Sequence, residues 1–596
     1  MERKRGATTG DVAAVATLAA LIVLALLSRY PARNFRLPMG PDSPVYMWWA
    51  NLAQLEGLSV ANWRPGTPAL SLMLGEGLGL SQLEVAAGLG AVFAATIGLA
   101  SFAAVRVHTS RWSALLAGAL AGAYATHLAG GYFGNIIIAA MLMAVVALLG
   151  SHGSRRTTVA AVALLAAGGL AHPMFLIVSL VILAMALPFI AREERRGVIA
   201  TGLSAGALTA LGLLSMLAGP RPLKVDTSAD DFMRRAGMSG ELVSEFRSRL
   251  SHHIARYIPW LMLPLAWLGR RGTRGTARVL LEAWAWLCLI GVVASFAIGA
   301  IPGVRMIAFA FPLPVLAALG VAWTRDKIPS RVAGTALAVG LVAAMLAGAG
   351  LTWARERPYA DRLTVDQVQR AGEMIRQEPA NIPLVFVVDE PRADLAAYRT
   401  TNWGNILRAY LPPDRIADVH LYYGTAENLL AGRSTPSDDP TQESLSRIYL
   451  EDLQRSEQLD LKIFRLSSMT RFAWNPVDGV TDVVSDDPPV MSQMNPRLPE
   501  PDSIMLKGLL MFVAITAIGA GWARTVTRRP DATLALAPAF GAAALILTGV
   551  ALDRLGLRLD GPLVPISGLA VGLAGYLAAW LTEREVQSPA LADQPA

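Results

Sequence analysis

The sequence predicts a mainly α-helical fold: a polytopic transmembrane bundle of about fourteen spans carrying one small extracytoplasmic α/β domain. Three observations predict it. Hydrophobic residues make up 54% of the 596-residue chain and charged residues only 16%, whereas a soluble globule carries about 25% charge. Much of the surface must therefore face lipid. Apolar runs near the length at which a helix crosses a bilayer, about 20 residues, recur on both sides of one polar segment. That segment, 353–503, holds 24 Asp/Glu against 16 Lys/Arg, a net of −8, so the overall +7 leaves +15 on the rest.

The expected spans fall near 12–28, 84–105, 112–130, 135–150, 157–172, 174–191, 198–218, 257–269, 279–300, 304–323, 332–352, 504–522, 533–552 and 563–581. The stretch 157–191 is either one span or two short helices turning at His172-Pro173. Seven basic loops separate these runs: 1–5, 106–111, 151–156, 192–196, 270–278, 324–331 and 523–529. Lys/Arg-rich short loops stay in the cytoplasm, and with fourteen spans all seven land on one side. The opposite side receives 29–83, the turn at 132–135, His172, 219–256, 301–305, the acidic segment 353–503 and 553–562. Arg3-Lys4-Arg5 before an apolar run resembles a signal peptide, but Ser28-Arg29-Tyr30-Pro31 is a poor cleavage site, so an uncleaved first helix is expected. The divisions that follow are a transmembrane module at 1–352 with its first outer loop at 29–83, the soluble domain at 353–503, C-terminal helices at 504–582 and a cytoplasmic tail at 583–596.

Within the acidic segment, 361–376 is patterned as an amphipathic helix. Leu384 to Val388 is a β-branched run suited to a buried strand, a helical stretch follows to about 410, Val419–Tyr423 is a second strand and 441–458 a helix. Alternation of this kind makes an α/β domain. The Pro- and Asp-rich stretch 474–503 is expected to return extended to the membrane. The one cysteine, Cys288, excludes an internal disulfide. Dispersal of the basic charge over short loops argues against a nucleic-acid partner.

The expected spans are nearly free of charge at mid-depth, which argues against an ion-coupled transporter. Polar residues gather instead at the outer ends. The first outer loop places Asp42 before Ser43-Pro44, then Tyr46, Trp48 and Trp49, residues that suit a membrane interface. Asp42 could cap that helix, serve in chemistry, or both. Arg64 precedes Pro65-Gly66-Thr67-Pro68, which opens a second amphipathic segment. Arg305 follows the Ile301-Pro302-Gly303 turn, where a permanently charged guanidinium can grip two phosphate oxygens or simply snorkel to headgroups. Tyr132 and Asn135 are placed to line the same outer cavity, although Asn135 also suits a helix cap. His172 can be a structural histidine or a substrate contact. His253 and Arg256 form a basic cluster beside an outer span entry, suited to lipid or substrate phosphate. Trp403 in the insert could stack on a carbohydrate ring or fill a core.

On these residues the chain resembles the GT-C superfamily of polytopic glycosyltransferases. The pattern Asp-x-x-x-Tyr…Ala…Gly maps onto Asp42, Tyr46, Ala50 and Gly57. Pro65 and Pro68 resemble the start of the second juxtamembrane helix. The run from Gly303 through Arg305 to Pro312 and Pro314 resembles the later signature of an Arg followed by prolines. The resemblance implies an enzyme that takes a sugar from a polyprenyl-phosphate donor and passes it to an acceptor hydroxyl on a glycan, lipid or protein. Asp42 would be the general base and Arg305 the donor-phosphate ligand, with Tyr46, Arg64, Tyr132, Asn135, His172, His253 and Arg256 as possible substrate contacts. Where many members carry paired acids this chain has Asp42-Ser43, so no metal ligands are assigned and a divalent cofactor lacks a paired-carboxylate motif. The implied setting is an integral protein of a bacterial plasma membrane. The competing readings are a lipid or polysaccharide flippase without covalent chemistry, and a non-catalytic scaffold of the same fold.

Overall fold

In lipid a backbone must pair its own polar groups, and for an apolar run of this length the helix is the local solution. The structure, a computed structural model, describes residues 9–40, 43–61, 64–125, 132–151, 154–216, 261–298, 302–355, 376–379, 384–389, 409, 419–422, 426–432, 462–467, 480–483 and 500–587. A helix occupies at least part of each of the fourteen expected segments. In chain order these and the intervening helices are α1 (Thr9–Leu27), α2 (Arg29–Arg33), α3 (Ser43–Glu56), α4 (Gly66–Leu78), α5 (Gln82–Arg106), α6 (Arg111–Tyr124), α7 (Phe133–Leu149), α8 (Arg155–Ala171), α9 (Pro173–Ala186) and α10 (Arg192–Met216). They continue with α11 (Met262–Gly269), α12 (Gly275–Ile298), α13 (Pro302–Ala308), α14 (Pro312–Lys327), α15 (Arg331–Arg355), the short α16 (Ala426–Leu430), α17 (Pro501–Val526), α18 (Pro530–Arg554) and α19 (Leu563–Gln587). Among the described residues, eight helical stretches are long and apolar enough to cross a membrane by length and composition. The stretches 133–149 and 173–189 are apolar but shorter.

The bundle is built around α5, which is buried continuously from Leu83 to Val105 and packs against α1, α6, α7, α17 and α18. Its start is fixed by a capping box in which Ser81 and Glu84 bond each other's backbone N–H, satisfying two donors that a helix end leaves open. Small residues set the closest approaches, as is usual between membrane helices. A Cβ on Gly519 would meet the Ala537 carbonyl of α18, and one on Gly541 the Ile515 carbonyl of α17. The C-terminal helices are therefore seated in the bundle, with α18 touching α4, α5 and α8. Leu203, Leu211 and Leu214 on α10, Val332 and Val339 on α15, and Leu569 and Leu573 on α19 are exposed, as the lipid-facing side of such a bundle requires.

Ion pairs sort the helix ends. Buried Asp531 takes both Arg529 nitrogens, at 2.7 and 3.2 Å, and lies 3.7 Å from Arg106. Asp11 lies 3.5 Å from Arg111 and 3.9 Å from Arg106. The start of α1 and the basic loops at 106–111 and 523–529 thus share one end. At other points Arg36 pairs with Glu500 at 3.1 Å, Lys507 with Glu84, and Asn51 donates to the Ala409 carbonyl at 3.4 Å. Arg36 and Asn51 thus tie the first loop to the residue before α17 and to the polar segment, while Lys507 joins α17 to the start of α5.

The stretch 157–191, open between one span and two short helices, is two helices broken at His172, where the turn was expected. One expectation changes: the single span expected at 304–323 is two helices, α13 and α14, with Phe309 to Phe311 between them. Pro312 and Pro314 have no N–H for the Ala308 and Ala310 carbonyls four residues back. The helix therefore stops and restarts, with Pro312 as the first residue of α14.

The described part of the polar segment holds a four-stranded, all-parallel sheet of order β2-β1-β3-β4: β1 (Leu384–Asp389), β2 (Val419–Tyr422), β3 (Lys462–Ser467) and β4 (Val480–Val483). The two expected strands are present, and β3 and β4 join them. Since β4 is a strand, the stretch from 474 is not wholly an extended return. Apart from Arg376 and Ala409, the helices expected at 361–376, up to 410 and at 441–458 lie outside the described residues.

Candidate active site

The polar candidates converge on the turn between α8 and α9. A residue preceding proline is held extended, and His172, before Pro173, has φ −154° and ψ 86°. That geometry directs the imidazole into the bundle, where it is 1% exposed and stands edge-on to Phe175 with ring centres 4.9 Å apart. Neither ring nitrogen has a hydrogen-bond partner among the described residues. Both the Arg64 and Arg305 charges act on it.

Each neighbour arrives for a local reason. Helix α4 starts directly against this turn: a Cβ on Gly66 would fall 2.6 Å from the Ala171 nitrogen. The same docking puts Thr67 in the buried first turn of α4 with its hydroxyl unpartnered among the described residues, and Arg64, two residues before Gly66, is near enough for its charge to act on the imidazole. Helix α7 closes from another side. A Cβ on Gly134 would lie 3.0 Å from the Ala171 carbonyl, 3.1 Å from the His172 ring and 3.4 Å from the Tyr46 hydroxyl. Tyr46 accepts the Gly134 N–H at 3.3 Å and packs on Phe133 with ring centres 5.2 Å apart, so α3 is locked to the start of α7. Tyr132 stands at the N-cap position of α7 without a side-chain bond to it. Asn135, expected as a possible cap, is instead the third residue of that helix, 3% exposed, with its amide nitrogen unpartnered.

Arg305 is positioned by the break after α13. Phe309 donates its N–H to the Arg305 carbonyl at 3.0 Å and fills the core against Phe175 and Trp284, at ring separations of 4.6 and 5.0 Å. Tyr124 donates to the Ile307 carbonyl at 2.6 Å and meets Phe311 edge-on at 5.5 Å. An aromatic series from His172 through Phe175 to Phe309 thus joins the turn to the helix that carries Arg305. Arg64 and Arg305 are both half-buried, and among the described residues neither is paired with a carboxylate. Two guanidinium charges near unpartnered neutral polar groups are an arrangement that would favour an oxygen-rich negative ligand, since a partly buried cation without a counter-charge is costly.

Asp42, His253, Arg256 and Trp403 lie outside the described residues. Ser43, which follows Asp42, is buried at the start of α3 and donates to the Met39 carbonyl. Among the described residues no group of three or more His, Cys, Asp or Glu is placed to hold a metal ion.

No family model and no curated protein matches the chain. Solved structures similar to it include archaeal oligosaccharyltransferase AglB from Archaeoglobus fulgidus in complex with an inhibitory peptide and a dolichol-phosphate, at 12% identity and TM-score 0.45 over 75% of this chain and 68% of that one. The same organism's oligosaccharyltransferase is similar in the apo form, at 11% identity and TM-score 0.44 over 74% and 68%. Its complex with Zn and sulfate gives 14% and 0.43 over 75% and 67%. The chemistry of the site therefore rests on its own residues.

Two polar positions escaped the sequence pattern. Thr67 was visible only as part of a Pro-Gly-Thr-Pro helix start. Asp553, at the end of α18, accepts the Leu58 N–H at 2.8 Å and pairs with Arg554, while Arg554 also donates to the Ser215 carbonyl at 2.8 Å. This clamp fastens the end of α3 to a helix about 500 residues away in sequence, and no local signal announces it.

Proposed function

We propose that this chain is a membrane glycosyltransferase of the GT-C type, which moves a sugar from a polyprenyl-phosphate donor to an acceptor hydroxyl on the extracytoplasmic face of a bacterial plasma membrane. In this reading all fourteen helical segments cross the bilayer, and the parallel sheet belongs to an extracytoplasmic α/β domain that shapes acceptor choice. The observation that carries the proposal is Arg305: half-buried, without a carboxylate partner among the described residues, and acting together with the Arg64 charge on buried His172.

In the reaction the acceptor oxygen attacks the anomeric carbon and loses its proton to Asp42. The bond from that carbon to the phosphate oxygen breaks, and its electron pair leaves on the polyprenyl phosphate with inversion at the sugar. General-base action is worth about 10²–10⁴-fold. A guanidinium in a low-dielectric site stabilises the leaving phosphate as its charge develops. Asp42→Asn keeps size and polarity but cannot take the proton. The expected result is loss of transfer with donor binding retained. An Asp42→Asn protein that transfers sugar at the wild-type rate rejects the mechanism. Mass spectrometry of co-purifying lipids identifies the donor, and a retained polyprenyl-phosphate sugar is the expected species.

A further inference from the structure

We propose that His172 and Arg64 complete the anion site with Arg305, the imidazole donating a hydrogen bond to a phosphate oxygen that both guanidinium groups also hold. The inference rests on the donor reading above and assigns it two more contacts. A buried imidazole with both nitrogens unpartnered is costly unless something bonds it. The surroundings specify what that is. The charges acting on the ring are cationic, so the missing partner is an anion's oxygen. Histidine offers a donor from either ring nitrogen in its neutral form, and the extended backbone before Pro173 holds the ring without help from the side chain's own hydrogen bonds. The Gly66 and Gly134 approaches press α4 and α7 against the His172 turn, so the ring and Arg64 are fixed before any ligand arrives. Asn135 and Thr67, buried and unpartnered beside this turn, supply uncharged polar groups next to the anion.

A phosphoester anion could belong to polyprenyl phosphate or to a phospholipid headgroup, and the test separates them. Full-length protein in detergent is titrated with a short-chain polyprenyl monophosphate that carries no sugar, with and without phosphatidylglycerol in equal excess. The wild type is expected to bind the polyprenyl phosphate and to resist displacement by phosphatidylglycerol. His172→Phe keeps the edge contact with Phe175 but has no ring N–H, and its affinity is expected to fall at least about tenfold, the value of one hydrogen bond to a charged group. His172→Gln restores a donor and is expected to recover most of that loss, which a purely structural ring would not show. Arg64→Gln is expected to lose affinity comparably.

Unchanged affinity in a folded His172→Phe protein and in Arg64→Gln overturns the inference. If Arg305→Ala still loses binding in that case, the donor reading stands. Should His172→Phe fail to fold, wild-type affinity in Arg64→Gln overturns it alone. Equal displacement by phosphatidylglycerol assigns the site to a membrane headgroup and overturns it too. A wild type that binds no polyprenyl phosphate overturns both readings.

Discussion

Replacing Gly57 by alanine tests how the first outer loop is held. Gly57 follows α3 with φ +88° and ψ 170°, a region of backbone space that is essentially glycine-only and costs a side-chain residue about 1–3 kcal/mol. The added methyl would also sit 2.8 Å from Oδ1 of Asp553. That carboxylate cannot step aside freely, because it accepts the Leu58 N–H at 2.8 Å and pairs with Arg554. Overpacking of this kind typically adds about 1–3 kcal/mol. Together Gly57→Ala is expected to destabilise by about 2–6 kcal/mol, with the end of α3 forced off α18. Gly77→Ala is the control: it is a helical residue of α4 with open space where its Cβ would go, and alanine there is expected to gain about 0.5–1 kcal/mol. Thermal unfolding in detergent, followed by tryptophan fluorescence, reads both. Opposite shifts are expected, down for Gly57→Ala and up for Gly77→Ala. If Gly57→Ala melts with or above the wild type, the clamp reasoning is wrong.

Asp553→Ala removes the other half of the clamp and leaves the buried Leu58 N–H without an acceptor; a loss of about 1–3 kcal/mol is expected, along with reduced transfer, and a wild-type melting temperature would contradict it. In the proposed site, Arg305→Ala is expected to weaken polyprenyl-phosphate binding by at least about tenfold, whereas Arg325→Ala, at an exposed pair with Asp326, is expected to leave it unchanged. Gly519→Leu should separate α17 from α18, whose backbones meet at Ala537 and Ile515, and lower the yield of monodisperse protein; normal yield and melting would show that the close approach is dispensable. In a Cys288→Ala background, Arg111→Cys and Glu56→Cys are expected to react with impermeant thiol reagents from opposite faces of sealed vesicles. Labelling from the same face would refute the proposed topology.

That helices occupy the apolar runs was legible in sequence, because such a run in lipid has few ways to satisfy its backbone; eight of the described helical stretches are long and apolar enough to cross a membrane. The turn at His172-Pro173 was legible too, since proline constrains both itself and its predecessor. The restart at Pro312 was not recognised: the sequence is free of charge from Met306 to Trp323, and a window average does not register two missing N–H donors. Strands β3 and β4 were missed for a different reason. In Lys462–Ser467 and Val480–Val483 the apolar signal is short, and what makes them strands is pairing with a distant neighbour. Asn135 illustrates the limit of cap rules, since the residue is the third of α7 and is buried.

From sequence alone came the membrane setting, the side-by-side grouping of basic loops and the list of polar residues at the helix ends. All of these follow from composition and local periodicity. Tertiary structure alone decided that Tyr46 and the start of α7 meet His172, that the Arg64 and Arg305 charges act on its ring, and that Asp553 holds the end of α3. The reason is physical: which helix ends meet depends on where glycines let backbones close to contact and where prolines break a span. Those distances are properties of the packed bundle, which no single segment contains.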